Sequence, residues 1–444
     1  MEFKEYKLSD LTINGKGEYG IGASAVEYNP SLYRYLRITD IDDNGFINTD
    51  ELKSVNDKNA ENYLLKENEI VFARTGNSTG KSYFYNGEDG PLVFAGFLIR
   101  FKLDSKKVNP KFIRYYTLSE NYKGWINQFA TGSTRKNINA KTYGNMIIKL
   151  PPRSYQNYIV QILDSLEEKL KENKKIIANL EELSQTLFKR WFVDFEFPDA
   201  NGNPYKSSGG EMVDSELGEI PRGWAIGHFN QFCKKPIAGD WGKEHQQGNY
   251  NKPVRIIRGA DINDYSKGGK GKSPIRFILE KNFDNKKLIS GDIIVEISGG
   301  SPTQSTGRTL LINKEILQNS NYGLVCTNFC KVIRPVDEKY GEWIAYYFNY
   351  LYFRDVFFNY ENGTTGIKNL DYKSILNTMK IIVPITQILN NFHNVISNYK
   401  INIQRLGKEN DYLSQLRDTL LPKLMSGEIE IPDDIEVNED ELSI

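Results

Sequence analysis

Pro151-Pro152-Arg153-Ser154-Tyr155-Gln156-Asn157-Tyr158-Ile159-Val160-Gln161-Ile162-Leu163-Asp164-Ser165-Leu166 opens the stretch that decides the fold. From Ile159, apolar residues recur at Ile162, Leu163, Leu166, Leu170, Ile177, Leu180, Leu183, Leu187 and Trp191. Steps of three and four put them on one helix face. A second stripe follows Pro384: Ile388, Phe392, Val395, Tyr399, Ile403, Leu406, Leu413, Leu416, Leu420 and Leu424. Each predicts a helix of roughly 35 to 40 residues, about 55 Å long, against an ordinary mean of about 11–12 residues. A coiled coil is the natural reading. Gly407 interrupts the second stripe at about 1 kcal/mol relative to Ala, which points to a local kink or frayed turn.

The segments outside these helices are rich in Tyr, Phe, Asn and Gly. Short apolar runs such as Glu69-Ile70-Val71-Phe72-Ala73 and Asp292-Ile293-Ile294-Val295-Glu296 predict strands. The two segments also match each other in order. Arg37–Ile41 resembles Arg258–Ile262, Asn68–Val71 resembles Gly291–Ile294, and Asn77–Lys81 resembles Gln304–Arg308. Thr131–Thr134 resembles Asn362–Thr365, Met146–Pro151 resembles Met379–Pro384, and Leu183-Ser184-Gln185 resembles Leu413-Ser414-Gln415. The plan is a tandem duplication: residues 1–150, a helix over 151–195, residues 196–383, a helix over 384–427, and an acidic tail over 428–444. Two such units close naturally with the helices antiparallel, giving a pseudo-two-fold molecule with two heads suited to a split target. The expected class is α/β, two irregular domains joined by two long antiparallel helices. A plain coiled-coil scaffold with two adaptor heads is the alternative.

The chain has 444 residues, with 57 Lys+Arg against 57 Asp+Glu. Eight of the acids lie from Glu428 onward, where no Lys or Arg occurs. That leaves 49 acids against 57 cations, a net of +8 over residues 1–427. The zero total therefore does not exclude nucleic acid. No long apolar run predicts a membrane span, no signal peptide is evident, and three scattered cysteines fit a reducing cytoplasm.

Gly76-Asn77-Ser78-Thr79-Gly80-Lys81-Ser82 nearly spells a phosphate-binding P-loop, but is one residue short between the glycines and precedes no helix. Its small polar groups and cation suit DNA phosphates or a guanine edge. The candidate DNA contacts are Arg74, Asn77, Ser78, Thr79 and Lys81 in the first copy, with Gln304, Ser305 and Arg308 in the second. The segments Thr131–Asn137 and Gly363–Asn369 add Ser133, Thr134, Arg135, Lys136, Thr364, Thr365 and Lys368. Arg37 and Arg258 each precede an Asp by three residues; a DNA contact and an internal Arg–Asp brace are both open. Seven cations between Lys252 and Arg276 form a basic stretch, whose Gly268-Gly269-Lys270-Gly271-Lys272 core reads as a mobile loop lying along phosphates, through Lys270 and Lys272. The three histidines and three cysteines lack ligand spacing, so no metal site is expected and Cys326 and Cys330 read as buried structural residues. No catalytic constellation emerges.

In this order, the motifs resemble the specificity subunit of a type I restriction–modification system, over nearly the whole chain. Gly218-Glu219-Ile220-Pro221-Arg222-Gly223-Trp224 looks like the entry into that family's second recognition domain, and Phe3 to Asp10 like a weaker version opening the first. Leu150-Pro151-Pro152 and Val383-Pro384 look like its helix entries, and Thr131-Gly132-Ser133 matches its Gly-Ser/Thr segment. Asn362-Gly363-Thr364-Thr365 departs from the usual Gly-Ser. The resemblance implies a non-catalytic subunit with two target-recognition domains that reads a split, asymmetric double-stranded DNA sequence, the helices setting the gap. It implies two methylase (modification) subunits supplying S-adenosylmethionine, and two restriction (translocase/nuclease) subunits using ATP and Mg2+, with no cofactor in this chain. A stand-alone DNA-binding regulator and an enzyme with a nucleotide site are the rivals.

Overall fold

A computed structural model describes residues 2–49, 51–129, 137–299, 304–363 and 366–429. The chain divides into two compact units: residues up to Glu168 with those from Ser414 onward, and Lys169–Leu413.

In the first unit, Glu18–Tyr19, Leu98–Lys102, Glu69–Ala73 and Ser82–Phe84 lie side by side in one antiparallel sheet. The run Ile70-Val71-Phe72-Ala73 is apolar without alternation because both its faces are covered. A second sheet orders Ala25–Glu27, Lys53–Val55, Tyr33–Leu36 and Leu92–Phe94, the last pair parallel. Lys4–Lys7 pairs with Ile147–Leu150, just before the central helix.

The second unit repeats this plan. Ile237–Ala238, Cys330–Ile333, Ile293–Glu296 and Thr309–Leu311 form the antiparallel sheet in the same strand order. Ile275–Leu279, Tyr250–Ile257 and Gly323–Cys326 form the other, again with a parallel last pair. Ala225–Gly227 pairs with Ile381–Val383, just before the C-terminal helix. The strings at Arg37/Arg258, Asn68/Gly291, Gly80/Gly307 and Met146/Met379 thus sit at matching structural positions. Asn68 and Gly291 both take positive φ in the turn entering the core strand. The buried acid that follows is neutralised in both copies. Glu69 accepts the Lys66 N–H at 3.0 Å and pairs with Arg100, while Asp292 accepts the Ile289 N–H at 2.8 Å and a bidentate Arg334.

The central helix spans Arg153–Phe192 and the C-terminal helix Thr386–Ser426. They run antiparallel where they meet within each unit. In the first, Leu163 shares a core with Leu421, Leu424 and Met425, and the Tyr155 hydroxyl donates to the Ile429 carbonyl. In the second, Ile177 packs with Ile403 and Leu406, and the Phe188 and Phe392 rings meet at 6.2 Å. The buried stripe departs from its apolar pattern. Asn173 is fully buried and donates to Glu409 and Asn410 at 3.0 and 3.1 Å, and Ser184 is buried with its hydroxyl on the Leu180 carbonyl. Leu183 and Leu416, expected on the packed face, are instead 53% and 46% exposed.

Gly407 marks no break in the helix. A Cβ there would lie 2.4 Å from the Lys267 carbonyl oxygen and 2.5 Å from the Gly268 Cα. The missing side chain lets the Tyr265–Gly268 turn lie directly on the helix, where Gln404 Nε2 donates to the Tyr265 carbonyl at 2.8 Å. No helix among the described residues is long and apolar enough to cross a membrane.

Candidate nucleic-acid interface

Arg37 and Arg258 cap equivalent 3-10 turns, Ile38–Asp40 and Gly259–Asp261. Arg37 grips Asp40 (Nη2–Oδ1 2.7 Å) and donates to the Glu51 carbonyl at 3.1 Å. Arg258 grips Asp261 (Nε–Oδ2 2.8 Å, Nη2–Oδ1 2.9 Å) and donates to the Lys272 carbonyl at 2.9 Å. Burial pushes the Asp261 carboxyl up, but the Arg258 guanidinium and backbone N–H groups outweigh it and hold it below the usual carboxylate range. Of the two readings open from sequence, the structure shows the brace: both guanidinia fasten a turn to a neighbouring loop.

The Gly-rich loop forms a single 3-10 turn, Gly76–Ser78, and runs into the strand Ser82–Phe84, so it does not open a helix as a P-loop does. Gly80 and Gly307 take φ of +94° and +112°, and a Cβ would strike Ile126 in the first copy and Phe357 in the second. These glycines serve a tight turn against the core. Asn77 is exposed, Ser78 and Thr79 are partly buried, and the Thr79 hydroxyl donates to the Gly76 carbonyl at 2.7 Å. Lys81 meets the exposed Asp43 at 3.0 Å.

The second copy diverges here. Gln304 is exposed, but Ser305 is buried, which removes its hydroxyl from the surface. Thr306 hydrogen-bonds the buried Glu361 through its N–H (2.5 Å) and hydroxyl (2.9 Å). Arg308 binds Glu296 bidentately at 2.8 and 2.7 Å, so its charge balances a buried acid. Lys368 pairs with Glu361 at 3.2 Å and lies 4.6 Å from the centre of the Phe358 ring. Arg74 lies 5.0 Å from the centre of the exposed Tyr19 ring and reaches Asn137 at 3.4 Å. Ser133, Thr134, Arg135, Lys136, Thr364 and Thr365 lie outside the described residues.

The basic stretch keeps three exposed cations, Lys267, Lys270 and Lys272. Arg255 donates to the Ser273 carbonyl at 2.8 Å, Arg276 stacks 4.6 Å from Trp241, and Lys252 pairs with Glu280 at 3.0 Å. The loop read as mobile is anchored: Gly268 rests on the C-terminal helix, and the Lys272 N–H donates to Asp261 at 3.1 Å. The lysines are thus presented from a fixed turn. Cys326 and Cys330 are buried in strands, and burial pushes the Cys326 thiol up to about 12. Two exposed aromatics beside these loops, Phe97 and Phe329, were not singled out from sequence, since a lone Phe in a turn carries no periodic signal.

Residues 1–182 match the model of the Type I restriction modification DNA specificity domain. The chain is 21% identical to the Type I restriction enzyme HindI specificity subunit of Haemophilus influenzae, over 96% of this chain and 100% of that protein. It is 23% identical to the MjaIX specificity subunit of Methanocaldococcus jannaschii, over 72% of this chain and 69% of that protein. Its fold is similar to the crystal structure of the type I system S subunit from M. genitalium (TM-score 0.55, 15% identity, 98% of this chain and 97% of that one).

Proposed function

We infer that this chain, a type I restriction–modification specificity subunit, reads a bipartite asymmetric DNA sequence, one recognition block for each half. The observation that carries this is the duplication itself: the same strand order, the same Arg-capped turn and the same following helix occur twice within one chain. Two copies of one reading unit that have diverged in their loops suit a target whose halves differ. The proposed contacts are weighted toward the exposed Lys270 and Lys272 of the second block, together with Gln304 there and Lys81, Arg74 and Asn77 of the first. Arg37, Arg258 and Arg308 brace the loops of their own blocks.

The chain carries no chemistry of its own in this reading. Two methylase subunits bearing S-adenosylmethionine dock on it, and two translocase/nuclease subunits using ATP and Mg2+ complete the complex. Leu183 and Leu416, one on each long helix and each about half exposed, are apolar surface that supports docking of partners on the helices. The test is methylome sequencing of the host with and without this gene, with the partner methylase expressed. Loss of a two-part methyladenine motif is expected; an unchanged methylome overturns the reading.

A further inference from the structure

Phe97 and Phe329 are each 59% exposed and occupy the same place in the two blocks. Each is the third residue of a turn leading from the parallel strand back into the antiparallel sheet. The turns close through Leu98 N–H to the Ala95 carbonyl at 2.8 Å, and Cys330 N–H to the Thr327 carbonyl at 3.0 Å. Each Phe carbonyl is also fastened from behind, accepting the Arg74 N–H at 3.0 Å in the first block and the Ile297 N–H at 2.9 Å in the second. The residues giving those bonds are tied onward in the same way, Ile138 N–H to the Arg74 carbonyl at 2.8 Å and Leu370 N–H to the Ile297 carbonyl at 2.9 Å. Asn137 and Asn369, which end the polar segments assigned to DNA, stand beside this ladder. Asn137 reaches Arg74 at 3.4 Å, and Asn369 accepts from Ser298 at 2.6 Å.

A single exposed apolar ring is ordinary. Two at one position of a duplicated fold, on turns pinned by backbone bonds from both sides, amid amide and hydroxyl groups, are a constellation. The pinned turn holds the ring outward, so little conformational entropy is lost when it is covered. We propose that Phe97 and Phe329 are base-contacting residues, each ring entering a groove of one half of the DNA site and burying its face against bases. Aromatic and apolar side chains make such contacts with thymine methyls and base steps. The proposal rests on the reading of the chain as a DNA-specificity subunit.

The test uses the full-length chain assembled with its methylase subunits and a duplex carrying the host's methylated two-part sequence. Phe97→Ala and Phe329→Ala are each expected to weaken binding roughly 5- to 100-fold, the range for losing one aromatic–base contact. Each variant should lose discrimination against base changes in one half only, a different half for each. The salt dependence of binding should stay as in wild type, because the ring neutralises no phosphate. Thermal unfolding should be unchanged, since the rings lie outside the core. Unchanged affinity and discrimination in both variants overturn the proposal while the parent reading stands. Weaker methylase assembly with DNA affinity per complex intact assigns the rings to a protein partner and also overturns it. A wild-type complex that does not distinguish its methylated sequence from a scrambled one overturns both.

Discussion

Replacing Gly407 by Ala separates two opposite expectations by sign. Helix propensity alone predicts a gain of about 1 kcal/mol. The packing predicts a loss. The new Cβ would sit 2.4 Å from the Lys267 carbonyl oxygen and 2.5 Å from the Gly268 Cα. Ordinary contacts between heavy atoms lie near 3.5–4.0 Å, so the turn must withdraw by about 1 Å. The obstacle is backbone on both sides, and no flexible side chain can swing away instead. The Gln404 Nε2 to Tyr265 carbonyl bond, buried at 2.8 Å, would break. A buried polar group left unsatisfied costs about 1–3 kcal/mol. Adding the lost apolar contact and subtracting the propensity gain leaves a destabilisation of about 1–2 kcal/mol. For a unit of this size, each kcal/mol lowers the Tm by roughly 2–4 °C. Thermal unfolding of Gly407→Ala beside wild type measures the difference. A raised Tm would refute the packing argument, because only the intrinsic helix preference would then be felt.

The other predictions use simpler readouts. Lys270→Ala with Lys272→Ala should weaken DNA binding across sequences and reduce its salt slope by up to about 2, at unchanged stability; an identical slope removes both from the phosphate contacts. Arg308→Ala should destabilise the protein by about 1–3 kcal/mol in chemical denaturation, because it leaves the buried Glu296 carboxylate without its partner at a partly solvated site. Lys81→Ala, whose partner Asp43 is exposed, should change stability by less than about 1 kcal/mol. The hydrogen bond to Glu342, with the charges of Glu338 and Asp337, raises the His393 pKa above its ordinary value near 6.5 against the opposing effect of burial. The stabilisation from a raised histidine pKa is fully present below the unfolded value and is lost as pH rises through the folded one. Denaturation midpoints compared between pH 6 and pH 8 should therefore fall more in wild type than in His393→Gln.

Much of the fold was legible along the chain. Both long helices were readable because a packed helix must repeat its apolar residues every three to four positions. The duplication was readable from ordered short strings, and the paired turns at Asn68 and Gly291 show why such strings recur: backbone geometry constrains them in both copies. Less of the candidate interface was legible. A cation in a string of polar residues looks the same whether it faces solvent or a buried carboxylate. Arg308 was read as the counterpart of Lys81, yet one balances the buried Glu296 and the other meets an exposed Asp43. Leu183 fitted the stripe to within one residue, but the small Ser184 takes the buried place beside it.

By itself, then, the amino-acid sequence determined the periodic and the repeated: two helices, two copies of an α/β block, and the family they resemble. These are properties of neighbours along the chain. The tertiary structure alone decided which cations are spent on internal acids, why a glycine sits in an unbroken helix, and that two phenylalanines stand exposed at equivalent turns. Each of these depends on residues far apart in sequence. Gln404 meets Tyr265 across 139 positions, and no local pattern encodes which distant backbone will lie against a given side chain.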